Sequence, residues 1–151
     1  MHAERTIVLR ITFVLMCFWS SSLAFAADIT GRWFTLDSDS GEKRSIVEIK
    51  QENGHFRGRI VELFLNPDEP LDPHCDLCTG ELHGRRIRGL EILELDESSN
   101  EIGYVGKLLD PEGGDTYKCV ATLDAAGKRL SIRGYVGLPI FGRNVTWARV
   151  E

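Results

Sequence analysis

The chain has 151 residues, with 18 basic and 23 acidic side chains and a formal net charge of −5. That length suits one domain and excludes a multidomain enzyme or a long solenoid. The acidic balance argues against nonspecific binding to a nucleic-acid backbone.

Residues 1–26 form a segment apart. Arg5 and Arg10 make a basic start, 11–19 are uncharged and apolar, and Ala24-Phe25-Ala26 sets small residues before a cut. That order is the order of a secretory signal peptide. The apolar run is shorter than the roughly 20 residues a spanning helix needs, so no integral membrane span is expected after cleavage. Met16 is too bulky for the small residue a lipid-anchor site wants before Cys17. The expectation is export to the periplasm, with the extracellular medium as the alternative. Residues 27–151 would then form one domain, with a net charge of −6 once Glu4, Arg5 and Arg10 are gone.

The rest of the chain reads as short strands between turn signals. The first is 31–36, closed by the polar run 37–41, and the second is 45–50, with Val47 and Ile49 on one face. Asn53-Gly54 favours a type I′ hairpin turn. It leads into 56–64, where Phe56, Gly58 and Ile60 share a face. Residues 65–88, rich in Asp, Pro, Cys and Gly, break the rhythm as a long loop or flap. Strands are then expected at 90–95, 102–109, 116–123, 129–136 and 144–150, with Tyr117, Cys119, Ala121 and Leu123 on one face of the third of these. Eight or so strands without crossover helices predict an all-β, up-and-down antiparallel barrel. Closure removes the unpaired edges of an open sheet, and Gly58, Gly106 and Gly134 would permit its bends. A sandwich is the alternative.

Within the long loop, His74, Cys75, Cys78 and His83 are the most distinctive chemistry. Cys-x-x-Cys brings two sulfurs together, which suits a disulfide, a zinc site recruiting His74 or His83, or a redox dithiol. Export favours the disulfide. Cys119 is expected to remain a buried thiol. Arg85, Arg86 and Arg88 make a basic patch that reads as a solvated face or an anion contact.

Other constellations are weaker. Asp110, Glu112 and Asp115 around Gly113-Gly114 fit a solvated turn better than paired acid–base carboxylates or a calcium loop. No Gly-x-Ser-x-Gly elbow accompanies the histidines, and 134–142 lacks the Lys-Ser/Thr of a phosphate-binding loop. Asn144-Val145-Thr146 matches a glycosylation acceptor only formally. No enzyme activity and no cofactor are therefore expected, with zinc kept as an alternative.

In combination, several segments resemble the bacterial domain-of-unknown-function family 2147. They are Gly31 with Trp33, the 45–49 strand, Gly58 with Ile60, Gly89-Leu90 with Ile92-Leu93, and Asp110-Pro111 with Gly114 and Tyr117. Toward the C-terminus they are 130–137, Gly142-Arg143, and Thr146-Trp147 with Arg149. The resemblance spans nearly all of 27–151 and implies an exported, lipocalin-like barrel. Such barrels set a first-strand Trp near a last-strand Arg, which here implies that Trp33 and Arg149 close one end. The expected function is noncatalytic binding of a small molecule in or at the mouth of the barrel, with Trp33, Tyr104, Tyr117, Arg133 and Trp147 as lining candidates. A filled barrel serving as a structural or protein-interaction module of the cell envelope is the competing class. A metal-binding or redox role through Cys75 and Cys78 comes third.

Overall fold

The fold is seen in a computed structural model that describes residues 28–99 and 103–151. The expected signal segment 1–26 and the expected strand start at Ile102 lie outside the described residues. Eight strands follow in order: β1 (Gly31–Leu36), β2 (Lys43–Glu52), β3 (His55–Leu63), β4 (Glu91–Glu97), β5 (Tyr104–Leu109), β6 (Thr116–Leu123), β7 (Arg129–Tyr135) and β8 (Arg143–Arg149). Each pairs antiparallel with the next. β8 returns to β1 through Trp33 opposite Arg149 and Phe34 opposite Ala148, which closes the barrel. That last pairing decides between barrel and sandwich.

Alternation along the strands sorts inside from outside. Val47 and Ile49 face inward, with Phe56, Gly58 and Ile60 beside them, then Leu93 and Leu95, and across the barrel Cys119, Ala121, Leu130, Ile132 and Trp147. Arginines and carboxylates occupy the outer positions of β3 and β4. There Arg59 reaches Glu52 at 2.8 Å and Glu91 at 2.8 Å, while Arg57 reaches Glu91 at 2.6 Å. The register shifts at Ile46/Val47 and Gly58/Arg59, alongside one at Thr35/Leu36, are where the sequence period drifts. The shift at Gly58/Arg59 turns Ile92 into the core beside Leu93, although the two are adjacent in sequence.

Gly106 shows how tightly the wall bends. A Cβ built there would lie 1.9 Å from the Glu94 carbonyl oxygen. Only a residue without a side chain permits that approach between β4 and β5.

Hairpin connections after β2, β4 and β6 lie at one end of the barrel, together with the segment preceding β1. The connections after β1, β3, β5 and β7 lie at the other. The β3–β4 connection is not a free flap. A bridge between His74 and Arg86, backbone bonds joining Cys75 and Arg85, and a short 3-10 turn (Gly80–Leu82) fold it back on itself. It also supplies Cys75, Cys78 and Ile87 to the core.

Candidate functional site

The hairpin end is sealed. Trp33 is fully buried and donates its indole N–H to the Ile29 carbonyl at 2.8 Å. The Arg149 guanidinium lies over that indole, 4.2 Å from the ring centroid. It donates to the carbonyls of Thr30 at 2.7 Å, Asp28 at 2.6 Å and Gly127 at 2.5 Å. A planar, permanently charged fork can serve three carbonyls while stacking on an aromatic face. Tyr104 packs edge-on against Phe56 with centroids 5.1 Å apart. Burial first, then the Glu97 and Asp28 carboxylates, push its phenol above the ordinary value. Trp147 pairs with Leu130 and is almost fully buried at this end.

The five lining candidates therefore separate. Trp33, Tyr104 and Trp147 belong to the packing of the sealed half. Tyr117 lies on the interior face of β6, in register with Leu108, toward the opposite end. Burial and the neighbouring Asp115 and Asp110 carboxylates raise its phenol pKa. Arg133 sits on the outer face, because Leu130 and Ile132 take the inward positions of β7. Its guanidinium donates to the carbonyls of Pro139 at 2.6 Å and Ile140 at 3.1 Å, and to Asn144 Oδ1 at 2.9 Å. Arg133 thus holds the β7–β8 connection rather than facing the barrel interior.

That connection is the largest apolar exposure among the described residues. Val136, Leu138, Ile140 and Phe141 are 74%, 64%, 76% and 79% exposed. Leu77, at the tip of the cysteine loop on the same end, is also exposed. Monomeric proteins seldom leave such clusters in water without a use for them. Inside this end the inward positions mix polar and apolar side chains, with Leu63, Leu108 and Val145 packed against the core. Thr35 and Ser45 share a 2.7 Å hydrogen bond, and Gly134 stands opposite Arg143.

Cys75 and Cys78 form a disulfide, with Cα atoms 5.3 Å apart. Cys75 Sγ lies 3.1 Å from the Pro111 carbonyl oxygen, a contact rather than a hydrogen bond because an oxidised sulfur carries no proton. His83 Nδ1 lies 3.1 Å from the Cys78 carbonyl, and His74 enters the bridge to Arg86. Among the described residues no group of three or more His, Cys, Asp or Glu converges as a metal site. Cys119 is the free cysteine of the described residues, and burial pushes its thiol pKa up to about 12.

Asp110 Oδ1 accepts from the backbone N–H groups of Glu112 at 3.0 Å and Gly113 at 3.1 Å. Its carboxylate is thereby engaged in the turn. His55 and Asp96 meet at 2.5 Å on the exposed outer wall. Arg44, which sequence reasoning did not single out, ties β2 to Glu69 at 2.6 Å and to Glu112 at 3.1 Å. It thereby anchors two loops of the open end. No local motif announces such a clamp, since its partners lie 25 and 68 residues away.

Among the described residues, surface clefts include the following pair. One, of about 520 Å³, is lined by Arg59, Leu82, Arg85, Arg86, Arg88, Gly89, Leu90 and Glu91. The other, of about 390 Å³, lies near Thr30, Gly31 and Glu48–Gln51. Neither includes any of the five lining candidates. Among the described residues no helix is long and apolar enough to cross a membrane.

A family model described as "Uncharacterized protein conserved in bacteria (DUF2147)" matches residues 31–149. Comparison with curated proteins gives no match. Among solved structures, protein HP1028 from the human pathogen Helicobacter pylori, described as belonging to the lipocalin family, is similar with a TM-score of 0.67. It is 21% identical over 83% of this chain and 84% of that one, a likeness that shows the lipocalin-like fold.

Proposed function

This chain belongs to the bacterial family DUF2147, and on that premise we propose that it is a noncatalytic binding protein taking a small, partly apolar molecule at the loop-bearing end of its barrel. The observation that carries this reading is the difference between the two ends. One is closed by Trp33 and Arg149. The other sets the polar Thr35–Ser45 pair among its inward side chains and carries the exposed apolar run Val136, Leu138, Ile140 and Phe141. Binding sites commonly combine apolar walls with a few polar anchors, and here Tyr117 and Arg143 are the polar groups within reach of that rim. The occupied carboxylate of Asp110 and the surface position of the His55–Asp96 pair favour binding over catalysis. Export through residues 1–26 to the periplasm belongs to the same reading, because an oxidising compartment preserves the Cys75–Cys78 disulfide.

Native mass spectrometry of purified protein, compared with the denatured chain, tests it. A small molecule carried by the protein, and lost when Ile140 and Phe141 are both replaced by serine, is the expected result. A bare polypeptide that also fails to take up any apolar probe would reject the reading.

A second reading rests on the filled interior. Trp33, Phe56, Ile49, Leu93, Leu95, Leu130 and Ile132 are all fully buried in the barrel interior. A filled barrel presenting its apolar rim to an envelope protein would leave the serine variant unable to join a complex, with no change in small-molecule content.

A further inference from the structure

The cleft of about 520 Å³ lies on the outer wall, not at the rim. Arg59 alternates with the inward-facing Gly58 and Ile60, and Glu91 is its partner across the β3–β4 pairing. The opposite wall comes from the return arm of the cysteine loop, which contributes Leu82, Arg85, Arg86, Arg88 and Gly89. Four guanidiniums thus face one carboxylate in a chain whose overall charge is negative.

These charges are not equally committed. Arg59 is held by Glu52 and Glu91, each at 2.8 Å. Arg86 is paired with Asp72 at 3.2 Å. Arg85 and Arg88 are exposed, and neither has a carboxylate in ion-pair range among the described residues. Their position is nonetheless set by the backbone. The Arg85 carbonyl accepts from Cys75 N–H at 2.8 Å, Arg85 N–H donates to the Leu82 carbonyl at 3.1 Å, and Ile87 N–H donates to Pro73 at 3.0 Å. Leu90, almost fully buried, and Leu82, packed against the core, give the cleft an apolar floor.

We propose that this outer-wall cleft binds a dianionic phosphoryl group carried on a molecule with an apolar portion. Two uncommitted guanidiniums match two negative charges, and a planar fork suits phosphate oxygens in pairs. Glu91, at the edge of the cleft, is offset by Arg57 at 2.6 Å and Arg59 at 2.8 Å, which leaves Arg85 and Arg88 to set the sign of the site. Leu82 and Leu90 would cover the adjoining apolar group. The site is separate from the apolar rim, so it stands or falls independently of the function proposed above.

Calorimetric titration of the disulfide-intact protein with phenyl phosphate, inorganic phosphate and benzoate tests the assignment. Phenyl phosphate is expected to bind most tightly, inorganic phosphate next and benzoate least. Replacing both Arg85→Gln and Arg88→Gln should weaken phenyl phosphate by about tenfold or more. Arg85→Lys with Arg88→Lys, which keeps the charge but loses the fork, should fall between. A control carrying Arg32→Gln and Lys118→Gln removes the same charge from other parts of the outer wall, and should change affinity less than about twofold. Phosphatidylcholine vesicles containing phosphatidic acid separate the two sources of the phosphoryl group. Cosedimentation abolished by the Arg85/Arg88 glutamine pair identifies a lipid headgroup, and binding of phenyl phosphate alone identifies a soluble ligand. Equal weakening in the control pair, or no binding of phenyl phosphate or of the vesicles, overturns the proposal.

Discussion

Cys119 and Arg149 show how differently two residues of the barrel act. The Cys119 thiol sits on the inward face of β6, where desolvation disfavours the thiolate and its pKa rises to about 12. Since the thiolate is the reacting species, native protein at neutral pH should resist iodoacetamide. In denaturant without reductant, one cysteine should alkylate if residues 1–26 have been removed, and two if Cys17 is retained. Mass spectrometry of the alkylated chain reads both points, and rapid labelling of the native protein would contradict the burial of Cys119. Arg149 acts through geometry rather than charge alone. Lysine there keeps the charge but cannot span the carbonyls of Asp28, Thr30 and Gly127. Arg149→Lys should therefore destabilise by about 2 kcal/mol, from lost charged hydrogen bonds. Thermal unfolding would read this as a fall of roughly 6 °C in Tm. An unchanged Tm would mean that the stack on Trp33 and the carbonyl bridge contribute nothing to closure.

Among the elements, the β3–β4 connection was the least legible in sequence. Its composition read as a flap, because Asp, Pro and Gly mark chain that need not pack. The structure instead turns it back on itself, puts its disulfide into the core, and seats it on the β5–β6 turn. Gly114 makes that seat possible. It has φ +79°, and a Cβ there would lie 2.2 Å from the Leu77 carbonyl oxygen. Gly41 has a similar φ of +72° with nothing within 4 Å, so it serves as a control for backbone strain alone. Gly41→Ala should cost about 1 kcal/mol, and Gly114→Ala about 2 kcal/mol or more. Native-state reduction of Cys75–Cys78 should quicken only in the Gly114 variant. Equal behaviour of the two would show that the loop does not depend on that contact. The strands were easier to read. Both bounds of β6 follow from its alternation and flanking turns, whereas β2 runs beyond 45–50 at both ends because polar residues continue the ladder after the apolar pattern stops. Arg133 was misplaced as a lining residue for a related reason. Type and neighbourhood say that an arginine could serve as an anchor, but only register says which way it points.

At the scale of the whole molecule, the eight-strand barrel was legible because turn signals and period-2 faces recur along the chain without a helix-length stripe. The candidate site was only partly legible. The aromatic residues expected as ligand contacts lie mostly in the sealed half, while no signal in the sequence marked Leu138, Ile140 and Phe141 as exposed. An apolar side chain in a turn looks the same in sequence whether it folds inward or stands in water. The division of the barrel into a sealed half and an apolar rim is what the functional account rests on. Fluorescence titration with the neutral apolar probe N-phenyl-1-naphthylamine tests that division most directly. The account predicts saturable binding of one probe per chain, weakened about tenfold or more by Ile140→Ser with Phe141→Ser and unaffected by Arg85→Gln with Arg88→Gln. Binding that fails to saturate, or that survives the serine substitutions unchanged, would contradict it.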